Sequence, residues 1–343
     1  MKALVKKAHG VGQVELLEVP RPQVGPRDVL LRVAACGICG TDLLIVEDKV
    51  DIYRPPVILG HNIAGVAAEV GPEVSGVAPG ERAAVDMNVG ACGHCAYCLS
   101  GREYLCAGRK GLGYGIDGGM AEYLALDERF VVKVPDGVSL AEAAAMDFCN
   151  AVHSVVDRTG GVAGKSVVIY GPGFQGLSML QVARLEGAGP VVMVGRRRHA
   201  ERLQLAKRLG ADFAVASDEQ DVGELVRDLT DGLGADVALE TTGAPSALNE
   251  AIHTVRKGGT IAMLGSLPAD ALVDMHTVVY SEITLSPVRG YNAANVAYFV
   301  EALRLGKIDL QPFIKSFPLE EWEQAFAERQ ERRVIEPLLV PRA

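Results

Sequence analysis

Two different hydrophobic periods divide this chain. Up to residue ~90, short apolar or alternating runs are separated by Pro and Gly, a pattern that predicts β-strands. The runs are Lys2–Lys6, Val14–Val19, Val29–Ala35, Gly65–Val70 and Ala83–Asp86. From about residue 166 onward, short apolar runs alternate with helix-period segments, which predicts a doubly wound parallel sheet of right-handed crossovers. We therefore expect an α/β protein with a β-rich domain and a parallel-sheet domain.

A glycine-rich turn follows the first apolar run of the second region, Val167–Tyr170. The next six residues match G-x-G-x-x-G, and a segment with a helical apolar stripe follows them. These glycines permit a tight turn, a close approach of the backbone to a pyrophosphate and close packing of the helix, whose first amides then face the phosphates. The strand, turn and helix context predicts a dinucleotide-binding unit. Its candidate cofactor-binding residues are Gly171, Gly173, Phe174, Gln175 and Gly176.

The end of the next apolar run, Val191–Val194, indicates which dinucleotide is bound. An NAD-binding unit usually places Asp or Glu there, to accept hydrogen bonds from the ribose 2′-hydroxyl. This chain has Gly195 followed by Arg196, Arg197 and Arg198. Glycine leaves room for a 2′-phosphate, and guanidinium groups bind it. We therefore expect NADP(H) rather than NAD(H); the alternative is that the arginines form only a solvated helix start.

Four cysteines form a compact metal-ligand pattern, C-x2-C-x2-C-x7-C. They are Cys92, Cys95, Cys98 and Cys106. Four thiolates suit a closed, tetrahedral, structural Zn²⁺ site. An iron–sulfur cluster is the competing interpretation, because spacing alone does not separate the two; four free cysteines in a surface loop are the other. His94 could replace one thiolate, although four cysteines already complete the shell.

Composition and charge narrow the range of partners. The chain has 343 residues, enough for two domains, and a formal net charge of −9, which argues against nucleic acid or anionic membranes as main partners. We see no basic and apolar leader and no apolar run of membrane-spanning length. The crowded cysteines suggest a reducing compartment, so we expect a cytoplasmic protein.

The chain as a whole resembles the medium-chain, zinc-dependent alcohol dehydrogenase family, most closely its polyol and threonine dehydrogenase branch. The resemblance rests on the glycine-rich unit, the four-cysteine pattern and four further segments, which are residues 39–42, 60–61, 118–123 and 150–153. It implies a GroES-like catalytic domain over residues 1–152, with the structural zinc lobe at about 90–108. It also implies a Rossmann NADP-binding domain over 153–290 and a segment, 291–343, that returns to the catalytic domain.

The same resemblance implies a second, catalytic zinc. Cys39 and His61 match the family's first two ligands, and Thr41 matches the hydroxyl that takes the proton of the substrate alcohol. Taken singly, a buried Cys or His is more often a packing residue. Cys36 also forms a C-x2-C pair with Cys39, but we expect it to be a packing residue.

Two departures from the family pattern concern this zinc, and a third concerns the release of the proton. The usual Gly-His-Glu is Gly60-His61-Asn62 here, so the glutamate's role at the metal should be absent. The usual third ligand falls at Met146 in an ungapped alignment; a one-residue shift makes it Asp147, our prediction, with Cys149 second.

The family's relay histidine is replaced by Leu44, so proton release needs another route, through water or His153. On the nicotinamide side, the resemblance suggests a set of residues that ordinary turn chemistry at strand ends would also explain. They are Thr242, Gly265, Ser266 and Arg289, the last near the cofactor or a subunit contact.

These observations predict an NADP-preferring secondary-alcohol or polyol dehydrogenase, acting on a small alcohol or the matching ketone. Two alternatives remain open. One is an NADPH-dependent alkene or quinone reductase without catalytic zinc; the other is a non-catalytic NADP(H)-binding sensor. The resemblance implies a homodimer or homotetramer.

Overall fold

A computed structural model describes residues 1–342, except for the side chains of residues 146–151. The chain divides into two compact units, which are described separately. Unit 1 comprises Met1–Phe148 and Phe299–Ala343, and unit 2 comprises Cys149–Tyr298. The domain limits at 152/153 and 290/291 remain predictions.

The strands and helices of unit 1 are short. Its strands are β1 Lys2–Lys6, β2 Val14–Glu18, β3 Asp28–Gly37, β4 Val57–Ile58, β5 Asn62–Val70, β6 Arg82–Val85, β7 Tyr123–Asp127, β8 Val131–Lys133, β15 Ile314–Pro318 and β16 Glu336–Val340. Its helices are α1 Gly40–Val46, α2 Ala96–Leu99 and α10 Trp322–Gln330, and α3 Leu140–Asp157 and α9 Ala293–Arg304 cross the limits between the units.

Unit 2 alternates strands and helices. Its strands are β9 Val167–Tyr170, β10 Val191–Gly195, β11 Phe213–Ala216, β12 Ala235–Glu240, β13 Val255–Met263 and β14 Thr284–Pro287. Its helices are α4 Phe174–Leu185, α5 Ala200–Arg208, α6 Val222–Asp228, α7 Pro245–Thr254 and α8 Met275–Tyr280.

Strand β3 is the centre of unit 1. It pairs with β5, β7 and β16, all antiparallel, in a sheet whose main path runs β15-β16-β3-β5-β6-β8. Val29, Leu30 and Leu31 of β3 are fully buried, and their apolar surface holds the sheet to the core. The C-terminal strand β16 lies beside β3, so the tail of the chain completes the N-terminal sheet.

Unit 2 contains a six-stranded parallel sheet with the order β11-β10-β9-β12-β13-β14. This confirms the predicted doubly wound fold. The apolar runs did not predict the edge strand β14, which pairs with β13. Strand β14 has partly polar, half-exposed residues, so its sequence lacks the apolar run that revealed the inner strands.

Candidate active site

The four predicted zinc cysteines form one cluster in unit 1. The sulfur atoms of Cys92, Cys95, Cys98 and Cys106 all lie within 4.8 Å of one another. The N–H groups of Cys92 and Gly108 donate to the sulfur of Cys106, at 3.4 and 3.3 Å, and lower its pKa to about 6. Burial raises the pKa of Cys98 to about 12.

This donor set fits a soft divalent cation. Four thiolates this close would repel one another without a positive ion between them, and a tetrahedral zinc ion satisfies all four. His94 is exposed, and its Nδ1 lies 2.9 Å from the carbonyl oxygen of Cys92. The cluster therefore needs no imidazole.

Strand pairing brings the other predicted ligands to one end of the unit 1 sheet. Gly37, the last residue of β3, pairs with Asn62, the first residue of β5. Cys39 lies two residues beyond the first of these, and His61 lies one residue before the second. Both candidate ligands therefore leave neighbouring strands at the same edge, and both are buried, at 8% and 2% exposure.

Helix α1 holds Cys39 and Thr41 in place. Cys39 is the N-cap, and its N–H donates to the Oδ2 of Asp42 at 2.7 Å. The sulfur of Cys39 accepts from the Thr41 N–H at 3.4 Å and lies 3.7 Å from the Thr41 hydroxyl. The hydroxyl predicted to move a proton is thus beside the predicted thiolate ligand.

A buried carboxylate faces the candidate imidazole ligand. Asp42 is fully buried, and its Oδ1 lies 3.8 Å from Nδ1 of His61. Burial raises the pKa of Asp42, while His61 and the Cys39 N–H oppose that shift. In many histidine–metal sites one ring nitrogen faces a carboxylate in this way while the other binds the metal. The residues present fit a catalytic zinc. The side chains of Asp147 and Cys149 lie outside the described residues.

Sequence analysis missed a second buried carboxylate at this edge. Glu336, the first residue of β16, is fully buried, and Nη1 of Arg329 lies 3.7 Å from its Oε2. Burial raises the pKa of Glu336 to about 8, and Arg329 opposes this rise. The sequence signal for Glu336 was a single charged residue at the start of an apolar strand. Cys36 lies in the core, as expected of a packing residue, and Tyr114 packs edge-on to His61.

The glycine-rich turn of unit 2 has the predicted close packing. A Cβ on Gly176 would lie 1.9 Å from the carbonyl oxygen of Gly171, so only glycine fits, and Gly171 itself has a φ of +106°. Gly173 is the N-cap of α4 and has no side chain to cap the helix. Phe174 and Gln175 form the first turn of α4, and the N-terminus of a helix that begins after a glycine turn suits a bound phosphate.

The arginine run lies after β10 and is exposed. The Arg197 N–H donates to Asp218 Oδ1 at 2.8 Å, and its side chain lies 3.4 Å from Glu219. Arg198 lies beside His199, with its Nε 3.2 Å from the ring. Arg197 thus has a carboxylate at ion-pair distance that competes with an incoming phosphate, and the charge of Arg196 acts on Asp218 and Glu250 without an ion pair.

Gly195 itself is buried at the end of β10. A Cβ there would lie 3.0 Å from Pro172 and 3.1 Å from Leu203. Packing is therefore a second reason for glycine at this position, besides room for a phosphate.

Two residues predicted on the nicotinamide side, Thr242 and Gly265, lie against a buried glutamate. Glu240, the last residue of β12, accepts from the N–H of Thr242 at 2.6 Å and of Gly243 at 3.1 Å. A Cβ on Gly265 would lie 2.6 Å from Glu240 Oε2, and one on Gly243 would lie 2.5 Å from the Ser266 carbonyl. The loop after β12 and the loop after β13 therefore pack so closely that Gly243 and Gly265 have no room for a side chain. Sequence analysis missed Glu240.

Two other predicted residues also belong to unit 2. Arg289 follows β14 and is exposed. His153 stacks on Tyr298, with 3.8 Å between ring centroids, and its Nδ1 lies 2.9 Å from the Asn295 amide nitrogen, which donates to it. Burial lowers the pKa of His153, so the neutral imidazole is favoured.

Comparisons with known proteins identify the family of the chain. Residues 25–136 match the family model "Alcohol dehydrogenase GroES-like domain", and residues 176–306 match "Zinc-binding dehydrogenase". The chain is 34% identical to a sorbitol dehydrogenase of Halalkalibacterium halodurans, over 99% of both chains. It is 36% identical to an L-threonine 3-dehydrogenase of Pyrococcus horikoshii, over 95% of this chain and 94% of the other.

Solved structures show the same fold. A zinc-binding dehydrogenase of Sinorhizobium meliloti 1021, crystallised with NADP, superposes with a TM-score of 0.91 and 29% identity, over 99% of both chains. In the described part of this chain, no helix is both long and apolar enough to cross a membrane.

Proposed function

Because the chain belongs to the zinc-dependent, medium-chain alcohol dehydrogenase family, we propose that it transfers hydride between a secondary alcohol or polyol and NADP(H). The observation that carries this proposal is the pairing of Gly37 with Asn62, because the buried Cys39 and His61 lie within two residues of this pair and the Thr41 hydroxyl lies 3.7 Å from the Cys39 sulfur. The names of the sorbitol and threonine dehydrogenase relatives support the substrate class.

The candidate ligands for the catalytic zinc are Cys39 and His61, with Asp147 as the third and Cys149 as the alternative. Bound zinc supplies Lewis acidity toward the substrate oxygen, and the nicotinamide supplies the hydride acceptor. Asp42 holds the Cys39 N–H and faces His61, so it orients both ligands. The Thr41 hydroxyl takes the proton of the alcohol and passes it outward. The cysteine cluster at residues 92–106 holds the structural zinc.

NADP preference is supported by the absence of an acidic residue at Gly195 and by the exposed arginines after it. Arg196 and Arg198 are the better candidates for the 2′-phosphate, because Arg197 already lies beside Glu219. A dimeric or tetrameric assembly and a cytoplasmic location complete the proposal. The assembly rests on the family resemblance, and the location rests on the crowded cysteines.

The cofactor proposal is tested by comparing kcat/KM for NADP⁺ and NAD⁺ over a panel of alcohols and polyols. We expect wild type to prefer NADP⁺ by about tenfold or more, since charge-assisted hydrogen bonds contribute ~1.5–3 kcal/mol. Arg196→Ala should weaken NADP⁺ use and leave NAD⁺ use unchanged, whereas Arg208→Ala, on the helix that follows, is the matched control. A tenfold preference for NAD⁺ would refute the proposal.

The zinc proposal is tested by metal analysis and a chelator. We expect two zinc ions per chain and alcohol oxidation that a chelator abolishes. NADPH oxidation that a chelator leaves unchanged would instead indicate an alkene or quinone reductase. Tight NADPH binding without turnover of any alcohol or ketone would indicate a sensor.

A further inference from the structure

Glu336 is a charged residue in a position where nothing in the fold requires one. It begins β16, and all the other residues of that strand except the last are buried and apolar. Its side chain is fully buried, and within the described residues neither carboxylate oxygen has a hydrogen-bond partner. Such a group is costly to bury, and the ion pair with Arg329, at 3.7 Å, offsets that cost without giving either carboxylate oxygen a hydrogen bond.

The side chains of Glu336 and Asn62 both approach Gly37. A Cβ placed on Gly37 would be 2.9 Å from Glu336 Oε1, 3.2 Å from the Asn62 Cβ and 3.4 Å from the Asn62 Nδ2. Glycine at position 37 thus makes room for both side chains at one point. The amide of Asn62 is also fully buried, and neither of its polar atoms has a partner in the part of the chain that is described.

This point is close along the chain to both candidate metal ligands. Asn62 follows His61 in the chain, and Gly37 precedes Cys39 by two residues. The charges of Arg329, Asp42 and His61 all act on Glu336. The carboxylate is therefore part of the electrostatic environment of the metal centre, although it comes from the far end of the chain.

We propose that Glu336 is a positioning residue of the catalytic zinc centre: with Asn62 it fixes the strand ends that carry His61 and Cys39, and its negative charge favours a divalent cation there. The role of Glu336 rests on the proposed function, because it requires a metal at these ligands. Groups that contact or orient metal ligands typically change metal affinity about 10- to 100-fold when they are altered. Arg329 and the bound cation both favour the ionised carboxylate, by the same attraction that the carboxylate exerts on the cation.

The test measures how fast zinc leaves the purified full-length protein for a chromogenic chelator. The structural zinc serves as an internal standard, and the kinetic phase that is missing in C39A identifies the catalytic zinc. We expect Glu336→Gln, which keeps shape but removes charge, to accelerate the catalytic phase about 10- to 100-fold and leave the structural phase unchanged. Glu320→Gln, which alters a carboxylate of unit 1 that pairs with Lys2, should change neither phase.

A double variant distinguishes charge from shape. Asn62→Glu combined with Glu336→Gln moves the carboxylate from β16 to β5, on the other side of β3, and we expect its catalytic phase to return to within about threefold of wild type, because both positions adjoin Gly37. A melting temperature recorded for every variant controls for folding. A purely structural role would lower the melting temperature without a selective effect on the catalytic phase.

Two results would overturn the proposal: a catalytic phase in E336Q as slow as in wild type, or a double variant that is faster than E336Q. A wild-type protein with no Cys39-dependent phase would refute the catalytic zinc, and the role of Glu336 with it. Insensitivity of an existing phase to E336Q refutes the role of Glu336 alone, so the two failures are distinguishable.

Discussion

The two metal centres of unit 1 are built in opposite ways. The cysteine cluster takes all its ligands from one segment, residues 92–106, and its sulfur atoms lie together within 4.8 Å. The candidate catalytic centre takes Cys39 from the end of β3, His61 from the start of β5, and its buried carboxylates from α1 and β16. A closed local shell suits a structural ion, whereas a shell assembled from distant strands leaves room for a substrate.

The charged surroundings of the centres differ as well. Backbone N–H groups hold the sulfur of Cys106 in the cluster, so the loop itself supports the thiolate. At the other centre, Asp42 and Glu336 are fully buried carboxyl groups, each with a raised pKa. The first centre should therefore depend on its own loop, and the second on the whole sheet.

The largest expected effect comes from removing a ligand of the dispersed centre. Cys39→Ala should reduce kcat/KM by at least about a thousandfold, or ~4 kcal/mol, the scale of a lost Lewis acid. Zinc content should fall from two ions per chain to one, since the cysteine cluster is intact. Steady-state kinetics and metal analysis of the same preparation check both halves. Retention of two zinc ions would show that Cys39 is not a ligand.

Residue patterns predicted the features that form within one segment of the chain, but not the contacts of Glu240 and Glu336 with distant segments. The glycine-rich turn and the cysteine spacing lie within single segments, so their periods and spacings were enough. Glu240 and Glu336 were missed because each reads as one polar residue at the end of an apolar strand. Only the contacts with distant segments show that Glu240 joins two loops and that Glu336 and Asn62 both approach Gly37. Strand β14 was missed because an edge strand need not be apolar.

The second-largest expected effect is on proton transfer from the substrate and not on metal binding. Thr41→Ala removes the hydroxyl beside the Cys39 sulfur, and we expect kcat to fall about a hundredfold, the usual scale of a lost acid–base group, with two zinc ions retained. Thr41→Ser keeps the hydroxyl and should retain most of the activity. Equal losses in the two variants would argue for a packing role of the threonine instead.

A smaller effect on activity is expected from the cysteine cluster. Cys106→Ser should remove the structural zinc and lower the free energy of unfolding by several kcal/mol, because the binding energy of a structural metal is also folding energy. At low temperature the remaining activity should stay within about threefold of wild type, because the substrate site is separate from this shell. Thermal inactivation and zinc content measure this. Cys36→Ala, which alters a core cysteine outside the cluster, should keep both zinc ions.

The smallest expected effect, that of a substitution at His94, gives the clearest test of the difference between the two centres. His94 lies in the cysteine loop and is the residue most easily mistaken for a ligand, yet its Nδ1 faces the Cys92 carbonyl and its side chain is exposed. His94→Ala should therefore leave zinc content and activity unchanged and alter stability by less than about 0.5 kcal/mol, as for an ordinary surface substitution. His61→Ala is the matched comparison, because the same chemical change should there remove the catalytic zinc. If His94→Ala released zinc, the cluster would not be a closed shell of four thiolates, and the distinction between the two centres would fail.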